Sequence, residues 1–389
     1  MNASLKRPVI LCFVSHYLPG FRAGGPLRTI ANFVDHFGNE FDIRIVTRDR
    51  DLQAEEPYSG VQVDNWNLVG NAQVFYASKT TLRLGNIARL LRETPHDILY
   101  LNGFFTAAFT VLPLLVRRLN LAPKAPCVIA PRGEFSPGAL ALKFGKKRLY
   151  LTVSRLLGLY RGLRWQASSD YEKLDILRCL SYVNENDVHV ALDLAPIELQ
   201  EIGLDRVRAP GEPLRVCFLS RIAPKKNLDF ALRVLANVQS KVLFTIYGPI
   251  EATAYWLACQ ELISTLPTNV QVFYSGEVRP IDVRKRLAEQ DLFFLPTRGE
   301  NYGHVIHEAL SAGLPVLISD QTPWQEVNMR GVGWTFSLDS EKAFAQQIDT
   351  VAAWSEEITT EMRHSAQVYA QERAIDPAVL KANRTLFLL

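Results

Sequence analysis

The sequence has no strong charge bias, no paired cysteines, no long apolar run and none of the short nucleotide-binding signatures, and each absence removes a class of function. Its 389 residues carry a formal net charge of only +3, too small by itself to indicate a nucleic-acid binder. The five cysteines, Cys12, Cys127, Cys179, Cys217 and Cys259, are scattered, with no C-x-x-C or other metal-ligand spacing. Cys12, Cys127 and Cys217 fall in strand-like apolar runs, where a thiol behaves as a small hydrophobe. They are expected to be reduced and structural, which fits the cytosol. No apolar stretch reaches the ~18 residues that a membrane-crossing helix needs. Lys6-Arg7 precede a short apolar stretch, Pro8 to Val14, but His16, Pro19 and Arg22 stand where a small-residue cleavage site would fall. A buried first strand is expected there instead of a secretion signal. Neither Gly-x-Gly-x-x-Gly after that strand nor Gly-x4-Gly-Lys-Ser/Thr occurs, which disfavours a nicotinamide dehydrogenase and a P-loop enzyme.

What is present is globular. Apolar residues make up 48% and charged residues 21%, ordinary for a folded chain, and the length favours two domains over one core. Short apolar runs alternate with helix-length segments: Val9–Val14, Phe41–Val46, Gln73–Tyr76, Ile98–Leu101, Cys127–Ala130 and Val188–Leu192, then Leu214–Leu219, Val242–Tyr247, Val270–Tyr274, Asp291–Leu295 and Pro315–Ile318. Buried strands alternating with helices imply parallel sheets covered on both faces, an α/β architecture of two doubly wound, Rossmann-like domains. Pro196, Gly203, Pro210, Gly211 and Pro213 mark a linker over 196–213. The expected division is therefore 1–195, 214–372, and a last helix, 373–389, packing back on the first domain. In doubly wound sheets ligands bind outside the carboxyl ends of the strands, so the loops there hold the candidates.

Four loops of the second half carry unusual residues: Ser220-Arg221-Ile222-Ala223-Pro224-Lys225-Lys226-Asn227, Gly248-Pro249, Gly276-Glu277-Val278, and Pro296-Thr297-Arg298-Gly299-Glu300-Asn301-Tyr302-Gly303 opening a helix through Glu308. A helix start leaves unpaired N–H groups and a positive dipole end, which suit a phosphate. Gly303 admits a close backbone approach. Arg221 and Lys226 add full positive charge, one as a planar fork and one as a point charge. Glu300 and Glu308 bracket the helix start, up to ~12 Å apart at ~1.5 Å per helical residue. They can therefore hold the two polyol ends of a ligand with a diphosphate between them, the shape of a nucleotide sugar.

Glu300-x7-Glu308, with Asn301-Tyr302-Gly303 inside it and Ala309-Leu310-Ser311-Ala312-Gly313-Leu314-Pro315-Val316 after it, resembles the signature of the retaining family GT4 glycosyltransferases. Ser220-Arg221-Ile222 with Lys226 resembles that family's Gly-Arg-Leu-x3-Lys-Gly, with Ser for the first Gly and Asn227 for the last. The strong part of the likeness spans about residues 214–320, and Ala23-Gly24-Gly25-Pro26 and Ser168-Ser169-Asp170 extend it more weakly. The resemblance implies the GT-B fold, two Rossmann-like domains facing across a cleft. It implies that Arg221 and Lys226 grip the diphosphate, Glu300 faces the donor sugar and Glu308 takes the ribose hydroxyls. The amides of Gly303, His304 and Val305 would contact phosphate, backbone around Val278 would meet the base, and Gly248, Asn301 and Tyr302 would join the donor site. It further implies transfer with retention, without a metal cofactor, to an oligosaccharide or polyprenyl-linked acceptor of surface polysaccharide synthesis. A nucleotide-sugar epimerase of the same fold and a non-catalytic nucleotide-binding subunit are the rival readings.

Other features carry two readings each. Gly24-Gly25 is either a turn or a close approach to acceptor or phosphate. Ser169-x-x-Glu172 is a capping box, and His304 and His307 are read as packing or surface side chains. Asp49-Arg50-Asp51 mimics a metal-binding Asp-x-Asp, but Arg48 and Arg50 oppose a divalent ion. Arg132 and Glu134 flank Gly133 as an oppositely charged pair: a salt-bridged turn, or an acceptor-side group in which Glu134 binds acceptor and Arg132 orients it or meets phosphate. Lys143 to Arg164 holds Lys143, Lys146, Lys147, Arg148, Arg155, Arg161 and Arg164, no acidic residue, and interleaved leucines and tyrosines. It is either an amphipathic contact with an anionic membrane, on the inner face of which the protein would lie, or a core helix with a solvated basic edge.

Overall fold

A computed structural model of the chain describes residues 6–141, 144–197, 208–209 and 211–388. They fall into two units, Met1–Ile197 with Asp376–Leu389, and Glu198–Ile375. Most of the expected linker (198–207 and 210) and Lys143 lie outside the described residues.

The first unit runs β1 (Val9–Phe13), α1 (Gly25–Phe37), β2 (Asp42–Arg48), β3 (Trp66–Val69), β4 (Ala72–Ala77), α2 (Leu84–Glu93), β5 (Ile98–Asn102), α3 (Leu112–Arg118), β6 (Cys127–Ala130), α4 (Pro137–Ala141), α5 (Phe144–Leu156), β7 (Arg164–Ala167), α6 (Asp170–Cys179) and β8 (Val188–Val190). The sheet order is β3-β4-β2-β1-β5-β6-β7-β8. β1 lies between β2 and β5, parallel to both, so every residue of Val9–Phe13 is buried and the strand has no polar face. α1 buries Leu27, Ile30, Phe33, Val34 and Phe37, an i, i+3, i+4 stripe facing the sheet.

The second unit runs β9 (Leu214–Leu219), α7 (Leu228–Leu235), β10 (Val242–Tyr247), α8 (Thr253–Ser264), β11 (Val270–Gly276), α9 (Pro280–Ala288), β12 (Leu292–Leu295), α10 (His304–Ser311), β13 (Val316–Ser319), β14 (Gly333–Phe336), α11 (Glu341–Ala352) and α12 (Glu356–Ala374). Its sheet is parallel throughout in the order β11-β10-β9-β12-β13-β14. A last helix, α13 (Pro377–Leu386), is part of the first unit. The Phe387 ring that follows it packs 5.0 Å from Phe33 and from Tyr100, and Asn383 Nδ2 donates to the Leu192 carbonyl at 2.8 Å.

Three strands depart from the sequence expectation. β3 is a four-residue antiparallel edge, half exposed, so it carries no continuous apolar run. In β7 the buried Gln166 takes the Tyr100 hydroxyl at 2.6 Å and donates to the Ala191 carbonyl at 3.0 Å, and only those partners make a polar residue acceptable there. β14 begins at Gly333, where a Cβ would run into the Val316 carbonyl. The Ser169 hydroxyl caps α6 by accepting from the Glu172 amide at 3.1 Å. The expected box does not close, however, because the Glu172 carboxylate takes the Ser168 amide and hydroxyl at 2.8 and 2.6 Å and the Gly133 amide at 2.5 Å. All five cysteines are unpaired.

Candidate active site

In the second unit the strand order reverses between β9 and β12, which are neighbours in space but far apart in sequence. Helices leave such a pair toward opposite faces, and the crevice between their loops is where doubly wound sheets take ligands. The two loops are joined by hydrogen bonds. Thr297 Oγ1 and the Arg298 amide donate to the Lys225 carbonyl at 3.2 and 2.9 Å. Asn227 Nδ2 donates to the Pro296 carbonyl, and Asn227 Oδ1 accepts from Arg298 Nε, each at 2.9 Å. Asn227 holds a left-handed backbone, φ 63°, which asparagine tolerates far better than most residues. It therefore serves where the resembled motif has glycine, and its amide adds the cross-link.

This stitching brings Lys226 Nζ within 2.5 Å of Glu300 Oε1, with only 13% and 10% of the two side chains exposed. Burial alone would push the Glu300 carboxyl up. The Lys226 charge and hydrogen bond, with Lys225 and Thr297, outweigh it and leave Glu300 below the usual carboxylate range, so it is ionised at neutral pH. Just beyond, Gly303 at φ 85° opens α10 with no side chain capping it, and a Cβ there would stand 2.9 Å from Ile306 Cδ1. Trp324 Nε1 donates to the Tyr302 carbonyl at 2.5 Å, fixing the turn. Asn301 and Val305 are half-buried beside it. His304 is half-buried with its ring 4.8 Å from that of Tyr302, and His307 is buried against the Ala370 carbonyl.

Arg221 follows β9 but is largely exposed and ion-paired with Glu251. Gly248, φ 128°, ends β10 where a Cβ would collide with the Ser220 carbonyl, so only glycine lets the two strand ends lie together. Val278, after β11, packs half-buried on the core. Glu308, half-buried on α10, has a neighbour the sequence did not suggest. Arg284 of α9 donates to the Ser311 carbonyl at 2.8 Å, and Glu308 acts on its charge, while its Nε and Nη1 are buried with no protein partner. Arg284 opens the run Arg284-Lys285-Arg286 on an amphipathic helix, which in sequence reads as an ordinary solvated basic face, so nothing there marked it.

The first unit has its own reversal point, between β1 and β5, and a pocket opens at it. Val14, Ser15, His16, Ala23, Pro26, Leu27, Asn102, Gly103, Thr106, Arg132 and Glu134 line it. Gly24, at φ 70°, caps α1 between two of these, so the Gly24-Gly25 turn, Arg132 and Glu134 are gathered at one place. The expected Arg132–Glu134 pair is not formed. Arg132 has a left-handed backbone, φ 57°, which turns its side chain inward. There Nη1 meets Asp193 Oδ1 at 2.5 Å and Nε meets Asn102 Oδ1 at 3.1 Å, with both ionic side chains 5% exposed. Glu134 Oε2 instead takes the Phe104 and Phe105 amides at 2.7 and 2.8 Å. Burial raises the Glu134 carboxyl, and the two amides and Lys147 only partly offset it.

Asn102 and Asp193 went unremarked in the sequence, and His16 figured there only as a residue that disfavours a cleavage site. Burial, then Arg48, lowers the His16 imidazole against an opposing pull from Asp51, so it is neutral at pH 7. The Asp-x-Asp carboxylates are engaged elsewhere: Asp49 by Arg50 at 2.8 Å, and Asp51 by the Phe21 and Leu52 amides at 2.9 and 2.7 Å. Among the described residues no group of three or more metal-ligating side chains is placed to hold an ion.

Two reversal points, two doubly wound sheets and a C-terminal helix that joins the first unit define an architecture with many solved counterparts. HepE of Anabaena, solved with UDP and glucose, superposes with a TM-score of 0.72 over 98% of this chain and 100% of its own, at 17% identity. WaaG, a glycosyltransferase involved in lipopolysaccharide biosynthesis, does so at 0.66 over 97% and 99%, at 14% identity. The fold is GT-B. Within it, residues 203–373 match the family model of the glycosyl transferases group 1, a stretch that contains both loops of the second reversal point. An uncharacterized 41.2 kDa protein in the cps region of Klebsiella pneumoniae is 24% identical over 69% of this chain and 74% of its own length. The group 1 match and the GT-B fold together support a glycosyltransferase.

Proposed function

We propose that the protein transfers a sugar, with retention at the anomeric carbon and without a metal ion, from a nucleotide diphosphate sugar to an oligosaccharide or polyprenyl-linked acceptor in surface polysaccharide synthesis, as a GT4 enzyme. The observation that carries the reading is the buried Lys226–Glu300 pair at the β9/β12 reversal, next to the glycine-capped start of α10. An ammonium has three donors, and Glu300 uses one. A diphosphate at the mouth of α10 meets the others together with the helix opening, and Arg221 reaches it from the same loop. Breaking the sugar–phosphate bond leaves charge on the diphosphate, and cations fixed there before the reaction lower that barrier without reorganising. Glu300, held ionised, accepts hydroxyls of the donor sugar, and Glu308 those of the ribose. In the first unit Glu134 presents a carboxylate to the pocket and binds an acceptor hydroxyl. Support for the donor class comes from HepE, which was solved with UDP and glucose. Support for the setting comes from the Klebsiella relative and WaaG.

A panel of nucleotide sugars, screened by thermal shift and then by transfer in EDTA, tests this. One donor should stabilise the fold and yield a product of unchanged anomeric configuration by NMR. Turnover that needs added magnesium or manganese, an inverted product, or donor conversion with no acceptor present would each replace the reading.

A further inference from the structure

The acid-free stretch before β7 divides once folded. Lys147 turns inward, its Nζ donating to the Ala139 carbonyl at 2.7 Å and lying 4.8 Å from the centre of the Phe105 ring. Arg164 donates to the Leu386 carbonyl at 3.2 Å. Ser154 is buried, with Tyr150 and Leu151 half-buried on the same side. The opposite side of α5 is left uncovered: Leu149 is 66% exposed, Val153 44% and Leu156 81%, with Leu157 at 52% just past the helix end. At ~100° per residue, Leu149, Val153 and Leu156 fall within about 60° of the helix circumference. Exposed Lys146 flanks that stripe on one side, and exposed Arg148 and Arg155 on the other. The fold adds residues from elsewhere in the chain. At Gly158 a Cβ would touch Arg118 Nη2 and Arg161 Cδ, at 3.2 and 3.1 Å, so the end of α3 meets the end of α5. Leu119, 56% exposed, follows Arg118 directly.

We propose that this face of α5, continued by the end of α3, docks the first unit on an anionic lipid surface. Exposed Leu149, Val153 and Leu156 at i, i+4 and i+7 beside five exposed cations (Arg118, Lys146, Arg148, Arg155 and Arg161) form an interfacial pattern. The apolar side chains enter the acyl boundary while the long basic stems reach headgroup phosphates. Charge selects the occupant. A second copy docked about a two-fold axis would bring like charges together, whereas a leaflet rich in anionic headgroups complements all five. The inference rests on exposure and charge and does not depend on the glycosyltransferase reading.

Co-sedimentation of the full chain with phosphatidylglycerol/phosphatidylcholine vesicles and with pure phosphatidylcholine vesicles tests it. Binding is expected to the anionic vesicles only and to weaken from 50 to 300 mM salt. Lys146→Glu/Arg148→Glu should weaken it at least about 25-fold, at about fivefold per cation lost near the surface. Leu149→Ser/Leu156→Ser, which leaves every charge in place, should weaken it as well. All four side chains are exposed, so the melting temperature should hold, and light scattering reports the oligomeric state in parallel. Equal binding to both vesicle types, no binding to either, or indifference to both double variants would overturn the proposal. So would a dimer of the parent that Leu149→Ser/Leu156→Ser dissociates, since the face would then join copies of the chain.

Discussion

Lys226→Ala should cost stability as well as activity, and the cost should depend on pH. The parent holds Lys226 and Glu300 in a buried ion pair, and removing one partner strands the other charge where water cannot reach it. Breaking such a pair costs about 3–5 kcal/mol, a large share of a typical total of about 5–15 kcal/mol. In the parent the Glu300 carboxyl lies below its usual range. Its contribution is therefore present above the unfolded carboxylate pKa and is lost as pH falls through the lower, folded value. In the variant burial is no longer outweighed by Lys226, so the carboxyl rises and folding takes up a proton. The deficit should then be greatest near pH 7.5 and shrink below about pH 5 as Glu300 is neutralised. Lys226→Ala/Glu300→Gln, which removes the stranded charge, should recover most of the loss at pH 7.5. Urea unfolding followed by tryptophan fluorescence measures this, because Trp256, Trp324, Trp334 and Trp354 lie in the second unit. An equal deficit at both pH values, or a double variant whose loss is the sum of the single losses, would refute the buried-pair argument.

Two further substitutions separate binding and chemistry from stability. Arg221→Ala removes an exposed cation whose ion pair with Glu251 is also exposed, so unfolding should shift by no more than about 1 kcal/mol. Its kcat and kcat/KM should fall together, because a charge on the leaving group acts in the transition state; an unchanged kcat would remove Arg221 from the site. Glu134→Gln keeps an oxygen for the Phe104 and Phe105 amides but loses the charge, so transfer should slow with donor affinity unchanged. In the parent, the carboxyl raised by burial should give an acid limb in kcat/KM above the usual carboxylate range, with rate lost as pH falls and the group protonates. A limb that persists in the variant would belong to another group.

The sequence by itself determined the layered α/β plan and singled out the two candidate loops that flank the β9/β12 reversal. Fully buried parallel strands such as Val9–Phe13 must be continuously apolar, and that pattern is local. Arg221, Lys226, Glu300, Gly303 and Glu308 stood out as candidates because backbone geometry and phosphate chemistry confine residue types to short spacings at such strand ends. Which of them touch was decided only by the tertiary structure. The Lys226–Glu300 contact spans 74 residues and exists because strand order reverses between β9 and β12. The same holds, more sharply, in the first unit. Arg132 and Glu134 are two residues apart and were read as partners, but a left-handed backbone at Arg132 sends the two side chains to different elements. Asp193, 61 residues on, takes the guanidinium, and no local pattern encodes that pairing. Arg284, His16 and the meeting of Arg118 with the end of α5 were hidden for the same reason: each acquires its neighbours from chain segments that only packing brings together. Periodicity and spacing are properties of a few consecutive residues, whereas partner choice, burial and the sign of a pKa shift depend on everything folded around them.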